Sequence, residues 1–87
     1  MNTFLLSITS PDGHLLHEKV YRLSLRGAEG DLAIMAGHIP FMTTVQKGEV
    51  RIIRADESVL TGTAEGGILT VTETETVLLS SGFCWDT

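Results

Sequence analysis

The chain has little that could take part in covalent or metal chemistry. It holds one cysteine, Cys84, so an internal disulfide is excluded, and no His or Cys near it keeps zinc-ligand spacing, which predicts a reducing compartment. Six basic residues stand against eleven acidic ones, a formal charge of −5, and they are scattered from Lys19 to Arg54. A phosphate backbone needs clustered Lys and Arg, so nucleic acid is excluded as a partner. No apolar run approaches the roughly 18 to 20 residues that span a bilayer, and Met1-Asn2-Thr3-Phe4-Leu5-Leu6 lacks the basic cluster of a signal peptide. Those two absences predict a soluble chain of the cytosol. At 87 residues there is room for one domain, residues 1–87, which buries roughly 60 to 65 % of the surface of its unfolded form.

What is present is period two. Phe4, Leu6 and Ile8 alternate with Leu5, Ser7 and Thr9; Tyr21, Leu23 and Leu25 alternate with Arg22, Ser24 and Arg26; Val50 and Ile52 alternate with Arg51 and Ile53. Turn signals separate these runs at Pro11-Asp12-Gly13, Gly27-Ala28-Glu29-Gly30, Gly37-His38-Ile39-Pro40, Lys47-Gly48, Asp56-Glu57, Gly66-Gly67 and Thr72-Glu73-Thr74-Glu75. Residues 58–81 are Thr-rich and β-branched, which suits strands and wastes helix propensity. A sheet with one apolar face needs a second layer to cover it, so the pattern predicts an all-β fold of two packed antiparallel sheets. Lys19, Arg22, Arg51, Arg54, Glu73 and Glu75 are expected on edges or solvent faces, where charge discourages sheet-to-sheet aggregation.

No residue pattern suggests a catalyst. His14 and His17 lie three apart, which on a regular strand points them to opposite faces, so they read as solvated or edge residues. His38 sits in the turn-rich segment, where it either hydrogen-bonds its own loop or reaches a partner. Gly27-Ala28-Glu29-Gly30 is no phosphate cradle: no Lys-Ser or Lys-Thr follows, and Glu29 and Asp31 would repel an anion. Ser10, Ser80 and Ser81 lack a nucleophile elbow, and Cys84 has no basic neighbour in sequence. Glu29 and Asp31 read as a solvated acidic loop. A metal-dependent small barrel using His14, His17 and His38 ranks below a ligand-binding module, for example a carbohydrate-binding one, whose aromatic platform would have to come from Tyr21, Phe83 and Trp85.

The ordered set Pro11-Asp12-Gly13, Gly27-x-Glu29-Gly30-Asp31-Leu32-x-Ile34-x-x-Gly37-His38-x-Pro40, Gly48-x-Val50-x-Ile52 and Gly66-Gly67-Ile68-Leu69-x-Val71 resembles the amino-terminal domain of the epsilon subunit of F-type ATP synthases over roughly residues 3 to 82. That resemblance implies a flattened antiparallel β-sandwich of about ten short strands. It also implies a non-catalytic rotor subunit without cofactor or metal, held between the gamma subunit and the c-subunit ring and coupling ion translocation to ATP synthesis or hydrolysis. Its place would be peripheral, on the cytoplasmic face of a bacterial-type inner membrane. Carried over by position, Ser10, His38 and Thr43 match gamma-facing positions, with Met42 beside them as either a contact or a core residue. Glu29, Gly30 and Asp31 match the loop facing the ring, whose polar loops commonly carry basic residues. Ala33 and Ala36 stand where the family usually has Gly and Pro, which implies a less rigid turn before Gly37. The sequence given ends at Thr87, before the family's usual carboxyl-terminal helical pair, so coupling without helical autoinhibition is the expectation.

Overall fold

Residues 2–86 are described by a computed structural model. Nine strands follow in order: β1 (Phe4–Ser10), β2 (Gly13–Gly27), β3 (Gly30–Met35), β4 (Phe41–Val45), β5 (Gly48–Arg54), β6 (Val59–Ala64), β7 (Gly67–Val71), β8 (Thr76–Ser80) and β9 (Phe83–Trp85). No helix occurs among the described residues, and the turns fall where glycine, proline and the acidic clusters placed them.

The long strand β2 holds the two layers together. Its first half pairs antiparallel with β1, from Ser10↔Gly13 to Phe4↔Val20. Its second half lies between β3 and β5, with Leu23 opposite both Ile34 and Ile52. At its end Gly27 meets Val45 of β4. Since β1 continues through β8 and β7 to β4, the hydrogen-bonded path returns to β2 and closes. The other layer, β3–β2–β5–β6–β9, leaves β3 and β9 at its edges.

One pairing departs from the antiparallel expectation: β1 and β8 run parallel, Leu6↔Thr76 to Thr9↔Leu79. Alternation fixes the face each residue takes but carries no information about strand direction, and no short turn joins these two strands.

Two irregularities in β2 decide where its side chains go. The register slips between Ile8 and Thr9 on β1, leaving Leu15 as an extra residue on β2. It slips again between Val20 and Arg22, at Tyr21, where β2 leaves β1 and joins β5. A bulge shifts the phase of alternation by one and bends the strand, the usual way for a strand to change sheets. The inward positions change accordingly from Val20 to Leu23 and Leu25. The core between the layers is aliphatic, with Leu6, Ile8, Leu23, Ile34, Ile52, Leu69 and Leu78 fully buried; Phe4, Phe41, Phe83 and Trp85 pack around its margin.

Gly67 is required by close approach. A Cβ there would strike the Leu79 carbonyl oxygen and lie 2.9 Å from the Ser80 Cα, both backbone atoms of the paired strand. Gly67→Ala is therefore expected to cost about 1–3 kcal/mol, read as a fall in Tm of roughly 4–8 °C per kcal/mol. Gly48→Ala, whose added carbon comes no nearer than 3.9 Å to Arg26 Cβ, should stay within about 0.5 kcal/mol of the parent.

Candidate functional site

The closed layer presents an outward face built from two cross-strand rows. Register places Met42, Thr70, Val77, Ser7 and His17 in one row, and Thr44, Ile68, Leu79, Thr9 and His14 in the next. Their inward neighbours Leu69 and Leu78 fill the core, so the middle of this face is aliphatic and open to solvent: Met42 is 68 % exposed, Leu79 52 % and Ile68 43 %. Met42 is thus a surface residue and not a member of the core. Burying such a band against a partner recovers roughly 25 cal/mol per Å² of apolar area.

At the corner beside Met42 stands the β2–β3 hairpin. Gly30, at φ 124°, turns the chain where a Cβ would strain it. Asp31 and Arg26 face each other across the hairpin at 3.6 Å, both exposed, a pairing of small energetic weight. Gln46 ties the hairpin to the closed layer, its Nε2 donating to the Ala28 carbonyl at 3.2 Å and its backbone N–H to that of Arg26 at 2.9 Å. A shallow groove of about 440 Å³ is lined by Gly27 to Leu32 on one side and by Phe41, Met42 and Thr43 on the other. The acidic hairpin and the Met42–Thr43 segment, matched to two different partners, therefore share one depression.

The remaining matched positions divide. His38 leaves the β3–β4 loop with its Nδ1 2.8 Å from the Ile39 carbonyl and its ring 5.0 Å from that of Phe41, so it is exposed and also tethered to its own loop. Thr43 is half-buried, its hydroxyl donating to the Thr44 carbonyl at 3.3 Å. Ser10 lies at the β1–β2 turn, accepting from the Asp12 N–H at 3.2 Å, with β8 and β7 between it and β4.

The histidine pair corrects an expectation. The bulge at Leu15 brings His14 and His17 to the same face, opposite Thr9 and Ser7, where unbroken alternation would separate them. They do not converge on a metal: among the described residues no group of three His, Cys, Asp or Glu is placed to hold one. Instead the buried Ser7 hydroxyl gives its single proton to Glu75 Oε2 at 2.5 Å and accepts from His17 Nδ1 at 2.6 Å. This chain of bonds fastens β1, β2 and the β7–β8 turn. Glu75, half-buried, thus covers Ser7 on the outward side of the layer. The aromatic platform is absent as well: Phe83 and Trp85 meet edge to face at 4.8 Å and pack on the core margin, and Tyr21 is half-buried at the bulge.

One carboxylate is electrostatically distinct. Asp56, fully exposed, is held below its ordinary range by the Ser58 hydroxyl and then by the Ser58 backbone N–H, at 2.5 and 2.9 Å. These bonds shape the β5–β6 turn, in which Glu57 takes a φ of 70°, and serve structure.

The described residues form a closed all-β sandwich with an aliphatic outer face and an acidic glycine corner, which defines the class of β-sandwich domains. The sequence profile described as "ATP synthase, Delta/Epsilon chain, beta-sandwich domain" matches residues 3–86. The chain belongs to that family. It is 41 % identical over 83 residues to "ATP synthase epsilon chain, sodium ion specific" of Acetobacterium woodii, covering 95 % of this chain and 62 % of that protein. It is 34 % identical over 80 residues to "ATP synthase epsilon chain" of Priestia megaterium, covering 92 % and 59 %. The chain thus spans about three fifths of these relatives' length. Among solved structures its fold matches a chain of the Euglena gracilis mitochondrial ATP synthase, OSCP/F1/c-ring, with TM-score 0.89 at 20 % identity, covering 95 % of this chain and 53 % of that one. A chain of the Tetrahymena thermophila mitochondrial ATP synthase central stalk and c-ring matches with TM-score 0.81 at 13 % identity, covering 95 % and 66 %.

Two outcomes test the local geometry. Ser7→Ala is expected to lower stability by about 1 kcal/mol, read from the urea midpoint, with the exposed Ser81→Ala within about 0.5. Because Asp56 is depressed in the folded state, its contribution is fully present above the unfolded carboxylate range and is lost as pH falls through the folded value. Ser58→Ala should move the Asp56 titration, followed by carboxyl NMR, upward towards the ordinary range.

Proposed function

We propose that this domain is the coupling piece of a rotary ATP synthase stalk, seated between the gamma subunit and the c-subunit ring, peripheral on the cytoplasmic face of the membrane, and performing no reaction itself. Its task is to pass torque from ring to shaft. The observation that carries the reading is the continuity of two unlike surfaces: the aliphatic band of Met42, Ile68 and Leu79 and the acidic hairpin Glu29–Asp31 meet at the groove by Phe41. Family membership and the stalk and c-ring assemblies in which similar folds occur support it.

The two surfaces suit different bonds. An aliphatic band on a closed sheet gives adhesion that ignores salt, as a contact with the gamma shaft requires. Glu29 and Asp31 on a glycine corner offer complementary charge to basic ring loops, which sets register more than affinity. His38, in the loop before β4, belongs to the gamma side in this reading; Thr43, opposite the inward Leu69, joins it only where it lines the hairpin groove, and Ser10 lies at the far margin.

Separate substitutions distinguish the two contacts. Met42→Glu with Ile68→Glu, both at exposed positions, should weaken capture of the cognate gamma subunit by about 100-fold or more, on the scale of a few kcal/mol for a lost apolar anchor. Asp31→Lys should leave gamma capture unchanged while lowering ATP-driven ion pumping by the reconstituted enzyme. Unaltered gamma binding in the double variant would overturn the assignment.

A further inference from the structure

The outward side of the other layer carries a charge pattern that this coupling role does not require. Leu23 and Ile52 are paired and buried, so Arg22 and Ser24 on β2, and Arg51 and Ile53 on β5, point away from the core. Register sets Arg22 opposite Ile53 and Ser24 opposite Arg51, which makes Arg22 and Arg51 diagonal neighbours, roughly 7–8 Å apart at the backbone. Arg26 reaches Asp31, Lys47 reaches Glu65 and Arg54 reaches Glu18, but neither Arg22 nor Arg51 forms an ion pair among the described residues. Two adjacent unpaired cations therefore sit at the centre of a sheet in a chain of net charge −5. Like charges on one face repel, and an approaching counter-charge relieves that repulsion.

The rest of the face is apolar on one side. Met35, Arg22, Ile53 and Val59 form a cross-strand row, and Met35 and Val59 are exposed. Alongside lies a depression of about 480 Å³ lined by Arg22, Ser24, Ala33 and Arg51 together with Glu49 and the mutually paired Arg26 and Asp31, so that Arg22 and Arg51 leave an excess of positive charge there.

We propose that this face docks an acidic amphipathic helix of a partner polypeptide, with its aliphatic residues over Met35, Ile53 and Val59 and its carboxylates on Arg22 and Arg51. Arginine suits the role, since its planar fork binds a carboxylate bidentately and is weakly hydrated. A helix fits better than an added strand because β2 and β5 are interior strands with both neighbours in place. A nucleic acid needs a longer run of clustered cations to follow its phosphates than two arginines supply, whereas two carboxylates one helical turn apart need no more than these.

The test is an NMR titration of the chain with a helical peptide of leucines bordered by glutamates, beside the same peptide with lysines for the glutamates. The glutamate peptide should move the amide signals of Arg22, Ser24, Arg51 and Ile53, and R22E with R51E should weaken it by about tenfold or more. K47E, on a cation already paired with Glu65, should leave binding unchanged. Equal binding of the lysine peptide, an equal loss in K47E, shifts confined to the Met42–Leu79 face, or no shifts at all would each overturn the proposal. The R22E/R51E sample is checked first for native signal dispersion, and the exchange of peptides tests the same claim without altering the protein.

Discussion

The structure depends on one strand being able to serve in two sheets. Up to Val20, β2 hydrogen-bonds β1 and contributes to the closed layer; beyond Tyr21 it lies between β3 and β5 and contributes to the open one. The single-residue slip at Tyr21 makes the change possible, because it inverts which side chains face inward while the backbone bends. Without that inversion Leu23 and Leu25 would turn to solvent and Arg22 inward. The apolar core, the position of the hairpin at Glu29 and the outward arginines all follow from it.

Both exposed surfaces are consequences of the same alternation. On the closed layer, Leu69 and Leu78 go inward, and the neighbours Ile68 and Leu79 are forced outward although they are equally apolar. On the open layer, Leu23 and Ile52 go inward and leave Arg22 and Arg51 exposed. A sheet therefore sorts its sequence into a core side and a display side, and here the two display sides differ in chemistry: aliphatic on one, cationic with an aliphatic row on the other.

Much of this was legible in the residues. The runs Phe4–Thr9, Tyr21–Arg26 and Val50–Ile53 became strands with the expected inward members, and the glycine and acidic turns fell in place, because period two and turn chemistry are local properties. The parallel β1–β8 pairing was not legible, since partner choice between distant strands is settled by the whole topology. The bulge at Leu15 hid the shared face of His14 and His17 for a related reason: one extra residue inverts a pattern counted along the chain. The display residues Ile68 and Leu79 did leave a signal. Apolar doublets, Ile68-Leu69 and Leu78-Leu79, cannot both face inward on a strand, so one member of each had to be on show. The bond chain from His17 through Ser7 to Glu75 joins residues 68 positions apart and had no local trace.

The parallel ladder between β1 and β8 has a mechanical meaning. These strands come from opposite ends of the sequence, and tension on the chain before Phe4 and after Ser80 would pull them in opposing directions along their common axis. The bonds between them would then bear load together, as a sheared lap joint does, rather than opening one by one like a zip. A brace built this way yields late and all at once.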